Sequence, residues 1–445
     1  MKLTVIGAGP GGYETAIEAV KKGIDVTLIT DGPLGGTCLN EGCIPTKALC
    51  KAASLMDEIR GAGEFGIKAE CNFDFSAVQQ RKNAVLEQLR QGIEFLLKKV
   101  NVIFGKASLK DAHTVVVNGT EIVSDYILLS TGSVSASLPI EGAELCINSA
   151  DILSLKEVPR RLAVIGGGVI GLEFASIFRS FGSEVSVLEF CKTILPRFDE
   201  DIAKRLKQSL SKRGISIETS AAVKSVRKTE GGFCVQYVQK DKELSVEADL
   251  VLMAVGRRPN LSSLNLDEVG IEYTPRGVRV NEYMQTSLPS VYAVGDLTGG
   301  MMLAHAASFQ GRRALNHILA GQPASGKVDQ IDLSTVPAAV FTVPEAAMTG
   351  KTEADCEGMD IVCLKSFYRS NGKAVAMGET DGMCKLIVER ESGKILGCHI
   401  FGAHSADLVQ EVSALIACGT GIDELRSAIH SHPTLGEIIQ AAANA

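Results

Sequence analysis

One motif occurs twice in the sequence, at an offset of 159 residues, and this repeat constrains the fold more than any other feature. Residues 3–12 (LTVIGAGPGG) and 162–171 (LAVIGGGVIG) each join an apolar, strand-like run to the pattern G-x-G-x-x-G. Each copy continues into a helical pattern and then into a second apolar strand, at Val26–Ile29 and Val185–Leu188. This order is typical of a βαβ unit that binds a dinucleotide, with the pyrophosphate at the helix N-terminus. The sequence therefore predicts two Rossmann-like domains.

The glycines of the two loops are the candidate pyrophosphate-binding residues: Gly7, Gly9 and Gly12, and Gly166, Gly168 and Gly171. The pattern expects an acidic residue at the end of the second strand, where it binds the ribose hydroxyls. Glu189 fills this place in the second copy, whereas the same offset in the first copy falls on Thr30, followed by Asp31. Because a carboxylate repels a 2′-phosphate, the second copy is predicted to bind NAD rather than NADP. In the first copy, Asp31 or a water molecule is the candidate for the ribose contact.

The composition restricts the class of function. The chain has 445 residues, 45 of them glycine, and 45% are hydrophobic, which indicates a soluble globular protein of two to four domains. A net charge of −7 argues against a nucleic-acid partner, and no run approaches the ~20 apolar residues of a membrane helix. Met1–Ile6 leads directly into a glycine loop and is predicted to be a strand rather than a signal peptide. Twelve cysteines without metal-type clustering predict a cytoplasmic protein with mostly reduced thiols and no metal site.

The remaining patterns complete an α/β assignment. Helical periodicity runs through residues 51–100, with one predicted apolar stripe at Leu86, Leu89, Ile93, Leu96 and Leu97. Strand patterns occupy 113–131 and 219–254. After a Pro/Ser/Gly-bearing stretch at 321–337, strands at 361–367, 383–389 and 394–401 alternate with helices at 404–419 and 434–443, which indicates an α+β domain. The predicted divisions are 1–150, 151–270, 271–333 and 334–445.

Two cysteines, Cys38 and Cys43, follow the first glycine loop in the run GGTCLNEGCIPTK at residues 35–47. In one regular helix their Cα atoms would be about 9 Å apart, beyond the ~7 Å that a disulfide spans. A disulfide would therefore require Cys38 on a turn leading into a helix that begins near Pro45. Cys43 would then lie near the helix N-terminus, where the dipole favours a thiolate. The pair indicates a dithiol/disulfide couple beside a redox cofactor; the alternative is two buried apolar residues.

The run at 35–47 resembles the redox-active disulfide motif of the flavoprotein pyridine nucleotide-disulfide oxidoreductases, most closely that of their dihydrolipoamide dehydrogenase branch. Further runs similar to family motifs follow in the family's order: Ser130–Gly132, Met253–Pro259, Tyr292–Asp296 and Leu303–Ala307. The resemblance covers nearly the whole chain and implies FAD on the first glycine loop and NAD on the second. It also implies cofactor contacts from Thr131, Gly132, Gly256, Asp296 and Ala304.

The same resemblance implies roles for charged residues around the flavin. Lys47 follows Cys43 by four residues, one helical turn. The family places this lysine beside the flavin and pairs it with a glutamate of the second glycine motif, which corresponds to Glu173. The alternative for both residues is an ordinary solvated charge.

The run His432-Pro-Thr-Leu-x-Glu437 is similar to the acid–base motif of the dihydrolipoamide dehydrogenase branch. A histidine can accept a thiol proton at neutral pH, and a carboxylate can orient its ring. The resemblance therefore implies His432 as the base and Glu437 as its orienting partner. His430 is predicted to be structural, and His305 to meet the flavin through its backbone.

Together these motifs imply an FAD-dependent enzyme that oxidises dihydrolipoyl groups with NAD⁺. A dihydrolipoyl thiol would attack Cys38, and Cys43 would leave as a thiolate against the flavin. In the family the histidine comes from the partner subunit, so a homodimer joined through 334–445 is expected. The expected partner is the lipoyl domain of a multienzyme complex, either a 2-oxo acid dehydrogenase or the glycine cleavage system.

Two alternatives remain. One is an NAD(P)H-dependent reductase of another disulfide, such as glutathione disulfide, or of mercuric ion; Glu189 argues against NADPH. The lack of an extra C-terminal cysteine pair and of an N-terminal metal-binding domain argues against mercury. The other is a non-catalytic flavoprotein subunit, which the presence of both thiols and the base disfavours. The sequence identifies neither the parent complex nor the physiological direction.

Overall fold

The computed structural model describes residues 1–321 and 327–445, so part of the Pro/Ser/Gly stretch at 321–337 lies outside the described residues. The chain divides into two compact units. Unit 1 comprises 1–48, 77–136 and 257–333, and unit 2 comprises 49–76, 137–256 and 334–445. In the described ranges, no helix is both long and apolar enough to cross a membrane.

The described helices are α1 (Pro10–Lys21), α2 (Gly36–Glu41), α3 (Cys43–Gly61), α4 (Phe75–Leu96), α5 (Val169–Ser180), α6 (Glu200–Lys212), α7 (Leu266–Val269), α8 (Ala304–Leu319), α9 (Gly372–Met377), α10 (Ser405–Ala417), α11 (Ile422–Ser427) and α12 (Glu437–Ala443). The strands up to the end of the second glycine-loop region are β1 (Lys2–Ile6), β2 (Asp25–Thr30), β3 (Asn101–Phe104), β4 (Ala107–Leu109), β5 (Thr114–Val117), β6 (Thr120–Val123), β7 (Tyr126–Leu129), β8 (Ser133–Ser135), β9 (Arg161–Ile165), β10 (Glu184–Glu189), β11 (Ile215–Thr219), β12 (Ala222–Thr229), β13 (Gly232–Gln239), β14 (Lys242–Ala248) and β15 (Leu250–Met253). The later strands are β16 (Arg257–Pro259), β17 (Tyr273–Thr274), β18 (Gly277–Val278), β19 (Val291–Ala293), β20 (Ala338–Val340), β21 (Glu345–Gly350), β22 (Ile361–Phe367), β23 (Met383–Glu389) and β24 (Ile395–Gly402).

Unit 1 is built on a parallel sheet of order β19-β7-β1-β2-β3. Its central strands are apolar on both faces, as expected for a covered parallel sheet. Val5 and Leu28 belong to one hydrophobic cluster, while Ile6 and Ile29 belong to another, because successive side chains point to opposite faces. Because β1 is the central strand of this order, the glycine loop between β1 and α1 begins at the middle of the sheet.

Unit 2 contains a second parallel sheet of order β11-β10-β9-β15, with α5 almost wholly buried. An antiparallel sheet of order β12-β13-β14 belongs to the same unit. The C-terminal part is an antiparallel sheet of order β20-β21-β24-β23-β22 whose hydrophobic core includes residues of α10 and α12. This arrangement confirms the predicted α/β class with two dinucleotide-binding folds and a C-terminal α+β domain. The four-part division of the chain stays a prediction.

Several elements match the sequence patterns closely, since β22 and β23 have the predicted bounds. The helical periodicity predicted over 51–100 corresponds to two helices, since α3 ends at Gly61 and α4 begins at Phe75. Leu86 and Ile93 of the predicted stripe are buried, but Leu89 is 41% and Leu96 is 54% exposed. At 100° per residue these two leucines lie roughly 60–80° around the helix from Leu86, at the edge of the buried stripe.

Candidate active site

Cys38 and Cys43 form a disulfide, with their Cα atoms 4.7 Å apart. Cys38 lies in the short helix α2, not on the turn expected from the sequence, and Cys43 is the first residue of α3. The two helices are interrupted at Gly42 (φ −145°, ψ −106°), and this break brings together two residues that one continuous helix would hold apart. The prediction that Cys43 lies at a helix N-terminus agrees with this geometry.

The helix that carries Cys38 begins against the first glycine loop. The Gly35 N–H donates to Ala8 O at 2.9 Å, and a Cβ added to Gly36 would lie 2.6 Å from the Gly9 Cα. Only a residue without a side chain fits such an approach. The disulfide helix is therefore packed directly on the loop between β1 and α1.

Both glycine loops have the geometry that a pyrophosphate requires. A Cβ on Gly12 would lie 1.9 Å from Gly7 O, and one on Gly171 would lie 2.1 Å from Gly166 O, so each helix packs tightly on its loop. At Gly9 and Gly168, the N-cap residues of α1 and α5, an added Cβ would meet no atom within 4 Å. This open space at a helix N-terminus is where a pyrophosphate binds, so both loops fit a dinucleotide.

The second loop carries an acidic residue at its strand end, as predicted. Glu189 is buried at the end of β10, where its Oε2 accepts from the Gly167 N–H at 2.5 Å and its Oε1 from the Cys191 N–H at 2.6 Å. Each carboxylate oxygen has two lone pairs and can accept one more hydrogen bond. Glu189 is therefore held in place with acceptor capacity left for ribose hydroxyls.

The first loop lacks this carboxylate. The hydroxyl of Thr30 donates to Gly32 O at 3.0 Å and accepts from the Gly32 N–H at 3.3 Å, while the neighbouring Asp31 is exposed. Both side-chain hydrogen bonds of Thr30 thus lie within the local turn. The contact of Asp31 with a ribose stays a prediction.

A polar network surrounds Asp296, the residue implied to bind the flavin's ribityl chain or phosphate. Ser133 Oγ donates to Asp296 Oδ2, and Arg257 Nε donates to Ser133 Oγ at 2.7 Å. Arg257 Nε also lies 4.0 Å from Asp296 Oδ2. Burial lowers the pKa of the Arg257 guanidinium, and the Asp296 carboxylate opposes this shift. Ser133 was not recognised from the sequence, although it directly follows the matched run that ends at Gly132.

The other implied flavin contacts lie at element ends of the same unit. Thr131 Oγ1 donates to Asn260 O at 2.9 Å, and Gly132 has a positive φ of 70°. Ala304 is the first residue of α8, whose N-cap Leu303 provides no side-chain cap. The N–H groups of such a helix start can bind an anionic or carbonyl group.

His432 and Glu437 form the dyad expected from the sequence. His432 Nδ1 lies 2.9 Å from Glu437 Oε1, and the Thr434 N–H donates to Glu437 Oε2 at 2.8 Å. The Thr434 N–H and, after it, His432 lower the pKa of Glu437 below its usual value. The His432 side chain is 79% exposed. With Nδ1–H donated to the carboxylate, Nε2 has the lone pair that can accept a proton.

The neighbouring His430 has a different environment. Its Nε2 lies 2.9 Å from Glu411 Oε1 of α10, and its side chain is only 10% exposed. This bond joins the loop between α11 and α12 to α10 within the C-terminal domain. No sequence spacing indicated the pair, because 19 residues and a loop separate its members.

Lys47 lies on the helix that begins at the disulfide, and Glu173 lies on the helix that begins at the second glycine loop. Lys47 is on α3, four residues after Cys43. Glu173 is on α5 and is 4% exposed, with its Oε1 accepting from the Phe341 N–H at 3.0 Å. The roles of both residues beside the flavin stay predictions. Gly256, the remaining implied contact, has a positive φ of 108° after β15.

The sequence matches the description pyridine nucleotide-disulphide oxidoreductase over residues 1–311, and the dimerisation domain of that family over residues 336–443. The chain belongs to this family. It is 40% identical to a dihydrolipoyl dehydrogenase of Geobacillus stearothermophilus, over 99% of this chain and 94% of the relative. It is 42% identical to a dihydrolipoyl dehydrogenase of Bacillus subtilis (strain 168), over 99% of this chain and 95% of the relative.

The chain is also similar to a solved structure of a flavoprotein disulfide reductase. The HOCl-induced flavoprotein disulfide reductase RclA from Escherichia coli superimposes with a TM-score of 0.87 at 30% identity, covering 100% of this chain and 99% of that one. Family membership confirms the predicted oxidoreductase class and the predicted cofactors, FAD and NAD. The matched dimerisation domain supports the predicted homodimer.

Proposed function

We propose that this protein oxidises dihydrolipoyl groups to lipoyl groups with NAD⁺, through FAD and the Cys38–Cys43 disulfide. The observation that carries the proposal is the position of this disulfide, on a helix packed against the first glycine loop. A dithiol couple beside a dinucleotide can pass electrons between a substrate dithiol and the cofactor. The full-length similarity to dihydrolipoyl dehydrogenases at 37–42% identity supports this choice of substrate.

The reaction begins with proton transfer to His432. Its Nε2 accepts the proton of one dihydrolipoyl thiol, and Glu437 stabilises the resulting imidazolium. The substrate thiolate attacks Sγ of Cys38, so the disulfide bond breaks and a mixed disulfide forms. Cys43 leaves as a thiolate at the start of α3, where the helix dipole stabilises its charge.

The second substrate thiol completes the exchange. It attacks the substrate sulfur of the mixed disulfide, which releases the lipoyl disulfide and leaves Cys38 reduced. One substrate dithiol has then been oxidised and one enzyme disulfide has been reduced; of the two thiol protons, one is on His432 and the other on the Cys38 sulfur, and Cys43 is the thiolate. The chemistry that bound FAD supplies is transfer of the electron pair from the reduced cysteines to NAD⁺ as a hydride.

We also propose how the chain divides this work. Residues 1–150 and 271–333 hold FAD, 151–270 hold NAD, and 334–445 form the dimer interface and supply His432 to the partner subunit's disulfide. The physiological substrate is the lipoyl domain of a multienzyme complex. The protein acts in the cytoplasm, which fits the ten other cysteines, since these form no disulfide in the described part of the chain.

A paired assay tests the choice of substrate. The holoenzyme should reduce lipoamide with NADH far faster than it reduces glutathione disulfide with NADPH. Faster turnover with NADPH and glutathione disulfide would favour the alternative reductase. Equal failure of both substrate pairs, in a protein that still oxidises NADH with an artificial acceptor, would favour the non-catalytic subunit.

The roles of the two cysteines can be separated by absorbance. Two-electron reduction of the wild type should produce a long-wavelength band from charge transfer between the Cys43 thiolate and the flavin. Cys43→Ser should abolish the band, whereas Cys38→Ser should retain a thiolate and show the band without reductant. Wild-type spectra for both variants would contradict the assignment of the two thiols.

Substitution of the base tests the acid–base step. His432→Gln should lower lipoamide turnover by about 10²–10⁴-fold, the usual contribution of general acid–base catalysis. FAD binding and hydride transfer from NADH should survive, because neither step uses this proton acceptor. Turnover within a few-fold of the wild type would contradict the role of His432.

A mixed dimer tests whether the base crosses between subunits. Pairing a His432→Gln chain with a Cys38→Ser chain places both defects in one active site and neither in the other. About half of the wild-type activity should then return in each heterodimer. If the mixture stays as inactive as its parents, the site lies within one chain.

A further inference from the structure

A pocket of about 390 Å³ lies in unit 2, and it is lined by Asp57, Arg60, Arg179, Gly182 and Arg213. Arg179 lies in the last turn of α5, and Arg213 immediately follows α6. We call this site the arginine pocket. The second glycine loop is at the opposite end of α5, about 18 Å away along a 12-residue helix.

The charges that line the arginine pocket do not balance. Three guanidinium groups face one carboxylate, and that carboxylate is already shared. Asp57 Oδ2 accepts from Arg213 Nη2, and Asp57 Oδ1 accepts from Arg60 Nη1 at 3.3 Å. The lining residues therefore carry two more positive than negative charges.

Two of the three guanidiniums are fixed by further hydrogen bonds. Arg213 Nη1 donates to Val343 O at 2.6 Å and to Ser176 Oγ at 3.2 Å. Arg179 Nε donates to Arg213 O at 2.7 Å. These bonds hold the guanidinium groups at the ends of α5 and α6 in defined positions. Ligand binding therefore costs little conformational entropy of these two side chains.

The electrostatics of Arg213 show how crowded the positive charge is. Burial lowers the pKa of its guanidinium; Asp57 opposes this shift, and the charges of Arg179 and Arg60 add to it. The Nε of Arg179 caps a backbone carbonyl, that of Arg213. Such capping does not explain why three guanidinium groups line one open pocket. Arg60 is about half exposed and has no acceptor within the described residues other than Asp57. Two negative charges placed in the pocket would relieve this repulsion.

We propose that the arginine pocket binds the dianionic phosphate group of a small phosphomonoester or of inorganic phosphate. The guanidinium fork matches phosphate oxygens with paired, charge-assisted hydrogen bonds. The volume lies within the range of small-molecule sites and exceeds the need of a single halide ion. The charged lining selects an anionic ligand over an apolar one. Binding at this site requires neither a substrate disulfide nor turnover.

Calorimetric titration of the holoenzyme tests the proposal. The protein, loaded with FAD and saturated with NADH so that both glycine loops are occupied, is titrated with inorganic phosphate at an ionic strength held constant with chloride. We expect saturable binding of one phosphate per chain. Glycerol 3-phosphate and malonate in parallel titrations distinguish a phosphomonoester, free phosphate and a dicarboxylate.

Variants of the lining residues locate the site. Arg60→Gln and Arg179→Gln should each weaken phosphate binding on the order of tenfold, because each removes a charge-assisted hydrogen bond. Asp57→Asn should strengthen it, because the only acid in the lining is removed. The matched control is Arg227→Gln, an exposed arginine that pairs with Glu141, which should leave phosphate affinity unchanged.

Three results would overturn the proposal. The first is the absence of saturable phosphate binding in the wild type. The second is equal weakening by Arg227→Gln, which would indicate a general surface-charge effect. The third is malonate binding as tight as phosphate binding, which would remove the assignment to phosphate. Melting temperatures close to that of the wild type show that each variant is folded. If Arg179→Gln unfolds, Arg60→Gln tests the site, because Arg60 is about half exposed and its replacement should not disturb the fold.

Discussion

The two glycine-loop regions share one strand register, and they differ in the residue that ends the second strand: Thr30 in the first and Glu189 in the second. β1 pairs with β2 through Lys2↔Asp25, and β9 pairs with β10 through Arg161↔Glu184, so the sequence offset of 159 residues is kept in the strand register. The glycine contacts repeat as well, since an added Cβ would meet the same backbone oxygen in both loops. This shared part provides the site for a pyrophosphate, which both cofactors contain.

The difference lies where the second strand ends. Glu189 accepts from the Cys191 N–H, and at the equivalent position Thr30 accepts from the Gly32 N–H. The turn after the second strand therefore has the same hydrogen bond in both regions. Only in the second region is the acceptor a carboxylate, with lone pairs left for a ribose hydroxyl. We therefore expect the glycine loop to bind the pyrophosphate in both regions and the strand-end residue to determine which ribose is bound.

The largest expected effect comes from alanine at the tightest glycines. Gly12→Ala should strongly weaken FAD binding and give a protein with little bound flavin, because its Cβ would lie 1.9 Å from a backbone oxygen. Gly171→Ala should leave the protein yellow but impair NADH oxidation, because the same clash occurs in the other loop at 2.1 Å. Overpacking of about 3 kcal/mol corresponds to roughly a hundredfold loss of affinity. Flavin absorbance and NADH titration measure the two outcomes; loss of both cofactors in either variant would contradict independent loops.

The open glycines give a sharper version of the same test. Gly9→Ala and Gly168→Ala place a methyl group where no protein atom lies within 4 Å, so the fold should keep its melting temperature. The methyl group would occupy the pyrophosphate space, and we expect each variant to weaken its own cofactor by about tenfold or more. Wild-type affinity in Gly168→Ala would mean that the pyrophosphate of NAD lies elsewhere.

Local chemistry made much of this site predictable from the sequence. The glycine loops, the cysteine pair and the His432–Glu437 dyad each lie within one short run. The glycine spacing predicts the loops directly, whereas the dyad was assigned from its resemblance to a family motif. The location of Cys38 in a helix was missed, because the backbone break at Gly42 is a conformational choice that spacing does not reveal.

Long-range contacts account for most of what the sequence could not predict. The pairs Ser133–Asp296 and His430–Glu411 join residues brought together only by folding. The exposed position of Leu89 likewise depends on how far the packing surface extends around α4. Ser133 and Glu411 lie in no recognised motif, and the apolar periodicity of α4 does not show where its buried face ends.

A smaller effect is expected at the strand end of the second loop. The wild type should prefer NAD over NADP by at least tenfold in kcat/KM, because a carboxylate facing a 2′-phosphate costs about 1.4 kcal/mol or more. Glu189→Ala should narrow this preference by weakening NAD binding. Glu184→Ala changes an exposed acid at the start of the same strand and should leave the preference unchanged. Equal use of both nucleotides by the wild type would contradict the role of Glu189.

The smallest effect is expected at the strand end of the first loop. If Asp31 binds the FAD ribose, Asp31→Asn should weaken FAD binding about fivefold, the loss of about 1 kcal/mol from one partly solvated hydrogen bond. Asp25→Asn, at the position equivalent to Glu184, is the matched control. Thr30→Glu would copy the second loop and should tighten FAD binding by a similar factor, because a carboxylate would keep the hydrogen bond from the Gly32 N–H and add one from the ribose. Flavin fluorescence during reconstitution of the apoprotein measures all three. Unchanged affinity in Asp31→Asn together with a gain in Thr30→Glu would show that no side chain at the end of β2 binds the ribose in the natural sequence.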